Sequence, residues 1–161
     1  MKVELKNVKY MDSLSEETAC FTATIYINGK KAGTATNHGI GGNTDVRITD
    51  KDLEARFFAW AKTLPKLQTE FGSLEMDGEL YIDELLEQHL KEKDRQKEAK
   101  QDAKQKARIA AMGCLALKVS YAIPNGTAFV YVPVKSRKEI DKAIANLKLQ
   151  MNFDTCKHEV L

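Results

Sequence analysis

The residues with the most obvious capacity for chemistry gather in the stretch "TNHGIGGNTD", residues 36–45, where His38 sits among Gly39, Gly41 and Gly42 and is followed by Asp45. A phosphate cradle, general-base catalysis by the histidine, and a glycine-permitted turn all draw on these residue types. A cradle needs glycines that open directly into a helix, so that free backbone N–H groups and the helix dipole meet the anion. Here "GIGG" runs into "NTDVRIT", which reads as extended chain, and no Gly-Lys-Ser/Thr follows. General-base chemistry needs an orienting partner and a group to activate, and the nearest in sequence to His38 are Asp45 and Cys20, with no nucleophile motif around either. Cys156 and His158 form the only close Cys/His pair, without a CxxC or HxxxH to complete a metal-ligand set. The turn is the reading these residues favour, and no catalytic residue, metal or cofactor is assigned.

Charge points elsewhere. Residues 1–90 hold 10 basic and 15 acidic side chains, residues 91–108 hold 8 and 4, and residues 109–161 hold 7 and 4. The front of the chain is acidic and the back is basic, a division that an ordinary solvated surface explains first and a charged partner second. The cations concentrate in "KEKDRQKEAKQDAKQKAR" as Lys91, Lys93, Arg95, Lys97, Lys100, Lys104, Lys106 and Arg108, which form the candidate partner-binding set. Lys30, Lys31 and Arg47 are secondary candidates for phosphate contacts on the N-terminal sheet, although that part of the chain is net acidic. No apolar run is long enough for a helical membrane span, and "MKVELKNVKY" lacks the apolar core of a secretory signal. Three cysteines, odd in number and far apart, argue against a disulfide framework and for a reducing, cytoplasmic setting.

The elements that must position these residues follow from periodicity. "VELKNVKY" and "ACFTATIYI" alternate as strands, and Asn28-Gly29 before "KKAGTAT" marks a tight hairpin. Thr49 or Asp50 caps a helix through "DKDLEARFFAWAKTL", with Leu53, Phe57, Trp60, Ala61 and Leu64 on one face and Pro65 as its stop. A second helix is expected from near Glu79 to Met112, about 50 Å long at 1.5 Å per residue. Its first half carries Leu80, Ile82, Leu85, Leu86 and Leu90, whereas the second has no apolar side chain larger than alanine before residue 109 and is expected to project into solvent. Ala99, Ala103, Ala107, Ala110 and Ala111 line that second half as a narrow stripe on which a homodimer could close. "CLALKVSYAI" and "AFVYVPV" form a second hairpin around Pro124-Asn125-Gly126-Thr127. Ser136 with Glu139 reads as a capping box for a helix over "RKEIDKAIANLKLQM", and the last ten residues are a tail or a short edge strand.

The fold class is therefore α+β: an antiparallel sheet built from an N-terminal three-stranded meander and a C-terminal hairpin, packed by helices, with one long protruding charged helix. The organisation reads as a βββα lobe over 1–66, an acidic loop and helical arm over 67–112, and a ββα lobe over 113–161. Whether the two lobes share one sheet is left open by the pattern.

With "SEETACFTATIYINGKKAGTATNHGIGG" assembled, the chain resembles a recurring type of small bacteriophage and prophage protein over about residues 1–45. In that type a Ser-Glu-Glu-Thr segment leads into a Cys-Phe strand, then a Tyr-(Ile/Val)-x-Gly-Lys hairpin and an Asn-x-Gly-x-Gly-Gly loop. His38 stands where that type carries an acid such as aspartate, and Ile40 where a histidine or basic residue is common. The resemblance implies a non-enzymatic accessory protein, working in the cytoplasm of an infected bacterial cell by binding a host protein or nucleoprotein complex, for example as an inhibitor of a host defence enzyme. A nucleic-acid-binding module, using the basic arm or the three-stranded sheet, is the alternative.

Overall fold

The structure, a computed structural model, describes residues 1–69, 72–124, 126–151 and 156–161. The described residues form an α+β protein that divides into two compact units, Met1–Lys93 and Asp94–Leu161. The boundary falls inside the long helix, not at either of its ends.

In the first unit, strands β1 (Val3–Tyr10), β2 (Phe21–Ile27), β3 (Lys30–Asn37) and β4 (Asp45–Ile48) form one antiparallel sheet in sequential order. The expected three-stranded meander thus gains a fourth strand, because "DVRI" pairs with β3 through Gly33 to Thr36. The Asn28-Gly29 hairpin forms as expected, with both residues at positive φ, 51° and 80°. Phe21, Ala23, Ile25 and Ile27 alternate into the core, as their period of two requires. Helix α1 (Lys51–Ala61) supplies Phe57 and Leu53 to that core, and the first part of helix α2 (Gly78–Ala110) supplies Ile82 and Leu86. Asp50, not Thr49, caps α1: its carboxylate accepts from the backbone N–H groups of Asp52 and Leu53, both at 3.0 Å. Between the helices, β5 (Leu67–Thr69) and β6 (Gly72–Leu74) make a small separate hairpin, where the sequence shows only loose patterning.

The glycine stretch is structural. The carbonyl of Gly39 accepts from the backbone N–H groups of Glu16, Glu17 and Thr18 at 2.9, 3.0 and 3.3 Å. Asn37, buried, accepts from the N–H of Gly39 and the hydroxyl of Thr18 and donates to the carbonyl of Gly42 and the hydroxyl of Thr44. Thr44 in turn donates to Asp83 on α2 at 2.5 Å. Burial raises the Asp83 carboxyl above its ordinary range; the Thr44 hydrogen bond opposes this, and the charges of Glu79 and Asp77 add to it. The Ser-Glu-Glu-Thr segment and the glycine loop are therefore two sides of one hydrogen-bonded object.

In the second unit, β7 (Leu115–Ile123), β8 (Gly126–Val134) and β9 (Cys156–Val160) form a separate antiparallel sheet in the order β8-β7-β9. The two lobes do not share a sheet. The last residues are the edge strand of this sheet, while Asn125 of the expected turn and residues 152–155 lie outside the described residues. Helix α3 (Ile140–Met151) packs Ile140, Ala143, Ile144 and Leu147 against Leu117, Val119 and Val134. Its start departs from the expected capping box: the Ser136 side chain makes no capping bond, a 3₁₀ turn (Arg137–Glu139) precedes the helix, and the Glu139 carboxylate accepts from the Lys135 N–H instead. Met151, expected on the same face, is 39% exposed.

A Cβ at Gly39 would lie 2.0 Å from the Leu14 carbonyl oxygen at a φ of +84°, whereas one at Gly42, with φ +87°, would meet nothing within 4 Å. Gly39→Ala is expected to lower stability by about 2 kcal/mol or more, and Gly42→Ala by about 1 kcal/mol, in urea denaturation. Equal losses would mean the loop yields at Gly39 without disturbing the Ser15–Thr18 contacts.

Candidate binding face on the long helix

Period-two alternation puts Leu117 and Val119 on the α3 side of β7, so Lys118 between them faces the other way. Its ammonium is nonetheless buried, with the side chain 5% exposed. Isolated burial of a charge is very costly, so counter-charges must come to it. Three do: Glu98 hydrogen-bonds it directly, Asp102 lies at 2.9 Å, and Glu159 of β9 at 3.6 Å. Tyr131 of β8 donates to the second oxygen of Asp102 at 2.5 Å, and the ammonium lies 4.3 Å from the centroid of the Phe129 ring.

The titrations reflect this closure. Burial alone would depress Lys118, but the hydrogen bonds and charges of Asp102 and Glu98 hold it above the usual lysine range. Burial alone would likewise raise Asp102, yet the bonds from Lys118 and Tyr131 and the lysine's charge hold it below the usual carboxylate range. Tyr131 is pushed up to about 12 by burial and by its bond to the ionised Asp102.

This cluster sets which face of α2 looks outward. Glu98, Asp102, Gln105 and Ile109 fall at i, i+4, i+7 and i+11, one stripe of a helix with 3.6 residues per turn, and they are the residues of 94–110 that are not fully exposed. The second half of α2, expected to project into solvent, is therefore tied down along this stripe by carboxylates on a buried lysine, while the rest of its surface is solvated as anticipated. Ile109 anchors the end at 5% exposure, and Gly113, whose N–H donates to the Ala110 carbonyl, closes the helix.

Lys97, Lys100, Lys104 and Arg108 fall at i, i+3, i+7 and i+11 on an outward flank centred about 125° round the helix from that stripe, and all are exposed. Between residues 95 and 110 the only acids are Glu98 and Asp102, both bonded to Lys118 although the Glu98 side chain is 43% exposed, so the other charged side chains of this segment are all cations. Lys97 also meets Asp94 at 3.3 Å, an exposed pair of little energetic weight. Lys106 and Arg95 are exposed but lie off this stripe. Lys91 and Lys93 belong to the part of α2 in the first unit, where Lys91 pairs with Glu87 at 2.6 Å. Ala99, Ala103, Ala107 and Ala110 are all exposed beside the cations. The first unit holds 12 basic and 16 acidic side chains and the second 13 and 7, nets of −4 and +6, so the charge division of the sequence is a division between units.

The other candidates are not assembled into sites. His38 is exposed and makes no hydrogen bond or ion pair with the described residues; Cys20 is buried, and Asp45 is held by Arg47 at 2.7 Å. No group of three or more potential metal ligands occurs among the described residues. Lys30 and Lys31 are exposed on the acidic unit. No described helix is long and apolar enough to cross a membrane. No family model, curated protein or solved structure matches the chain.

Lys118→Met should destabilise the second unit by about 2 kcal/mol near neutral pH, below the usual range for breaking a buried pair because Glu98 and Glu159 are partly solvated. Asp102 titrates below its unfolded value, so its contribution is present above about pH 4 and is lost as pH falls through the folded value. Lys118 titrates above its unfolded value, so its contribution is full below about pH 10 and is lost as pH rises through the folded value. The cost of Lys118→Met should consequently be flat between these limits and shrink in acid, measured by denaturant titration against pH. A cost that does not change on acidification would contradict the ion cluster.

Proposed function

We propose that this chain is a non-enzymatic binding protein that presents the outward face of α2 to an anionic surface of a macromolecular partner. The observation that carries this reading is the inward turn of Glu98 and Asp102, which leaves Lys100, Lys104 and Arg108, with Lys97 beside its exposed partner Asp94, as a predominantly cationic stripe on a unit of net charge +6. A neutral solvated helix would mix both signs around its circumference. With the phage-type resemblance of residues 15–42, the setting we propose is an accessory protein in an infected bacterial cell. There it would modulate host machinery by binding, with a nucleoprotein complex of host defence as the concrete target.

The test is affinity capture from bacterial lysate followed by mass spectrometry of protein and nucleic-acid components. Charge reversal at Lys97, Lys100 and Lys104 to glutamate should abolish capture of the specific partner while leaving the thermal midpoint within a few degrees, because none of the three is buried or bonds the core. Unchanged capture by the reversed variant would remove the helix face as the binding surface.

A further inference from the structure

Resting on the reading of the α2 face as the binding surface, we infer that its partner is double-stranded nucleic acid, held through the phosphate backbone without sequence readout. Three properties of the face carry this. First, it has no apolar anchor for a protein interface. The exposed positions of 95–108 are four lysines, two arginines, glutamines and alanines, with no aromatic or large aliphatic side chain, whereas protein interfaces rely on buried aromatic anchors beside their arginines and their cores are depleted in lysine. Phosphates need no such anchor, because release of condensed counterions drives association with cations alone.

Second, the same absence argues against a single strand. Proteins that hold single strands without sequence preference stack bases on aromatic side chains, and the cationic stripe has none. Phe129 and Tyr131, aromatics at the cluster, are committed to Lys118 and Asp102. Third, the spacing suits a backbone. Lys97, Lys100, Lys104 and Arg108 advance by about one helical turn each, about 5 Å, along an element whose inward stripe is fixed by Lys118. No asparagine lies on the segment, and the stripe is three lysines, which meet phosphates as point charges, with a single arginine fork at Arg108, so the contacts chiefly position the duplex.

Four phosphate contacts predict a slope of log K against log salt of about −3.6, which weakens binding roughly a hundredfold between 50 and 200 mM salt. The experiment is fluorescence anisotropy of the full chain with a labelled DNA duplex, the matching RNA duplex, the DNA single strand and polyglutamate, each over a salt series, for wild type and Lys97→Gln/Lys100→Gln. Duplex binding tighter than single strand and polyglutamate, with a slope falling from about −3.6 to about −1.8 in the double variant, is the expected result. The comparison of the two duplexes tells which nucleic acid is preferred. Equal or tighter binding of polyglutamate or the single strand, lost in the double variant, would overturn the duplex assignment while leaving the helix face as the binding surface. Duplex binding with an unchanged slope in the double variant would overturn the helix face itself. Absence of duplex binding at low salt overturns the inference, and loss of lysate capture in the charge-reversed chain then keeps the broader reading distinct from it.

Discussion

The second unit depends on one constraint: an ammonium group has been placed on a strand where little of it reaches water. Lys118 is buried in the interior strand of a three-stranded sheet, and a buried lysine is tolerated only if opposite charge is delivered to it. That demand recruits Glu98 and Asp102 from a helix segment with little apolar surface of its own, and Tyr131 and Glu159 from the two neighbouring strands. An ion cluster thus does what a leucine stripe does in the first half of the same helix. The directional bonds also fix the rotation of the helix about its own axis, since carboxylates one turn apart must both point at the same ammonium.

Fixing that rotation has an electrostatic consequence. A helix of alternating sign would be nearly neutral from any side, but withdrawing its acids to one stripe leaves the other side cationic. The same residues that stabilise the unit therefore create the field outside it, so the proposed function and the local fold share a cause. In the first unit the logic is different and polar bonds are spent on shape. Asn37, Gly39 and Thr44 knit residues 15–18 to the glycine loop and, through Asp83, to α2, while the core is made by alternating strand residues under Phe57, Ile82 and Leu86.

What could be read from the sequence alone follows from how local each determinant is. The Asn28-Gly29 turn, the Asp50 cap region, the apolar faces of α1 and α3 and the extent of the long helix are set by neighbours within a few residues, and they were legible. The fourth strand of the first sheet and the separation of the two sheets were not, because a four-residue strand is specified by its partner and sheet membership by packing. Lys118 was the deeper miss. Its position inside "LALKVS" is visible, but its counter-charges lie 20 and 16 residues upstream on the helix, and apolar periodicity passes over a stripe made of glutamate, aspartate and glutamine. A lysine flanked by inward apolar residues, preceded by acids at i and i+4 on a helix, is the signal that would have found it. The basic residues were legible as a set, but not their sorting into an outward stripe of four and others lying elsewhere on the helix.

The central claim is that Lys118 is buried and closed by carboxylates while the stripe lysines are exposed to solvent. Lysine acetylation of the native chain, with site occupancies read by mass spectrometry, tests this most directly. The account predicts rapid modification of Lys97, Lys100 and Lys104 and protection of Lys118 until the chain is unfolded in denaturant. Modification of Lys118 at the same rate as those three in the native chain would contradict it.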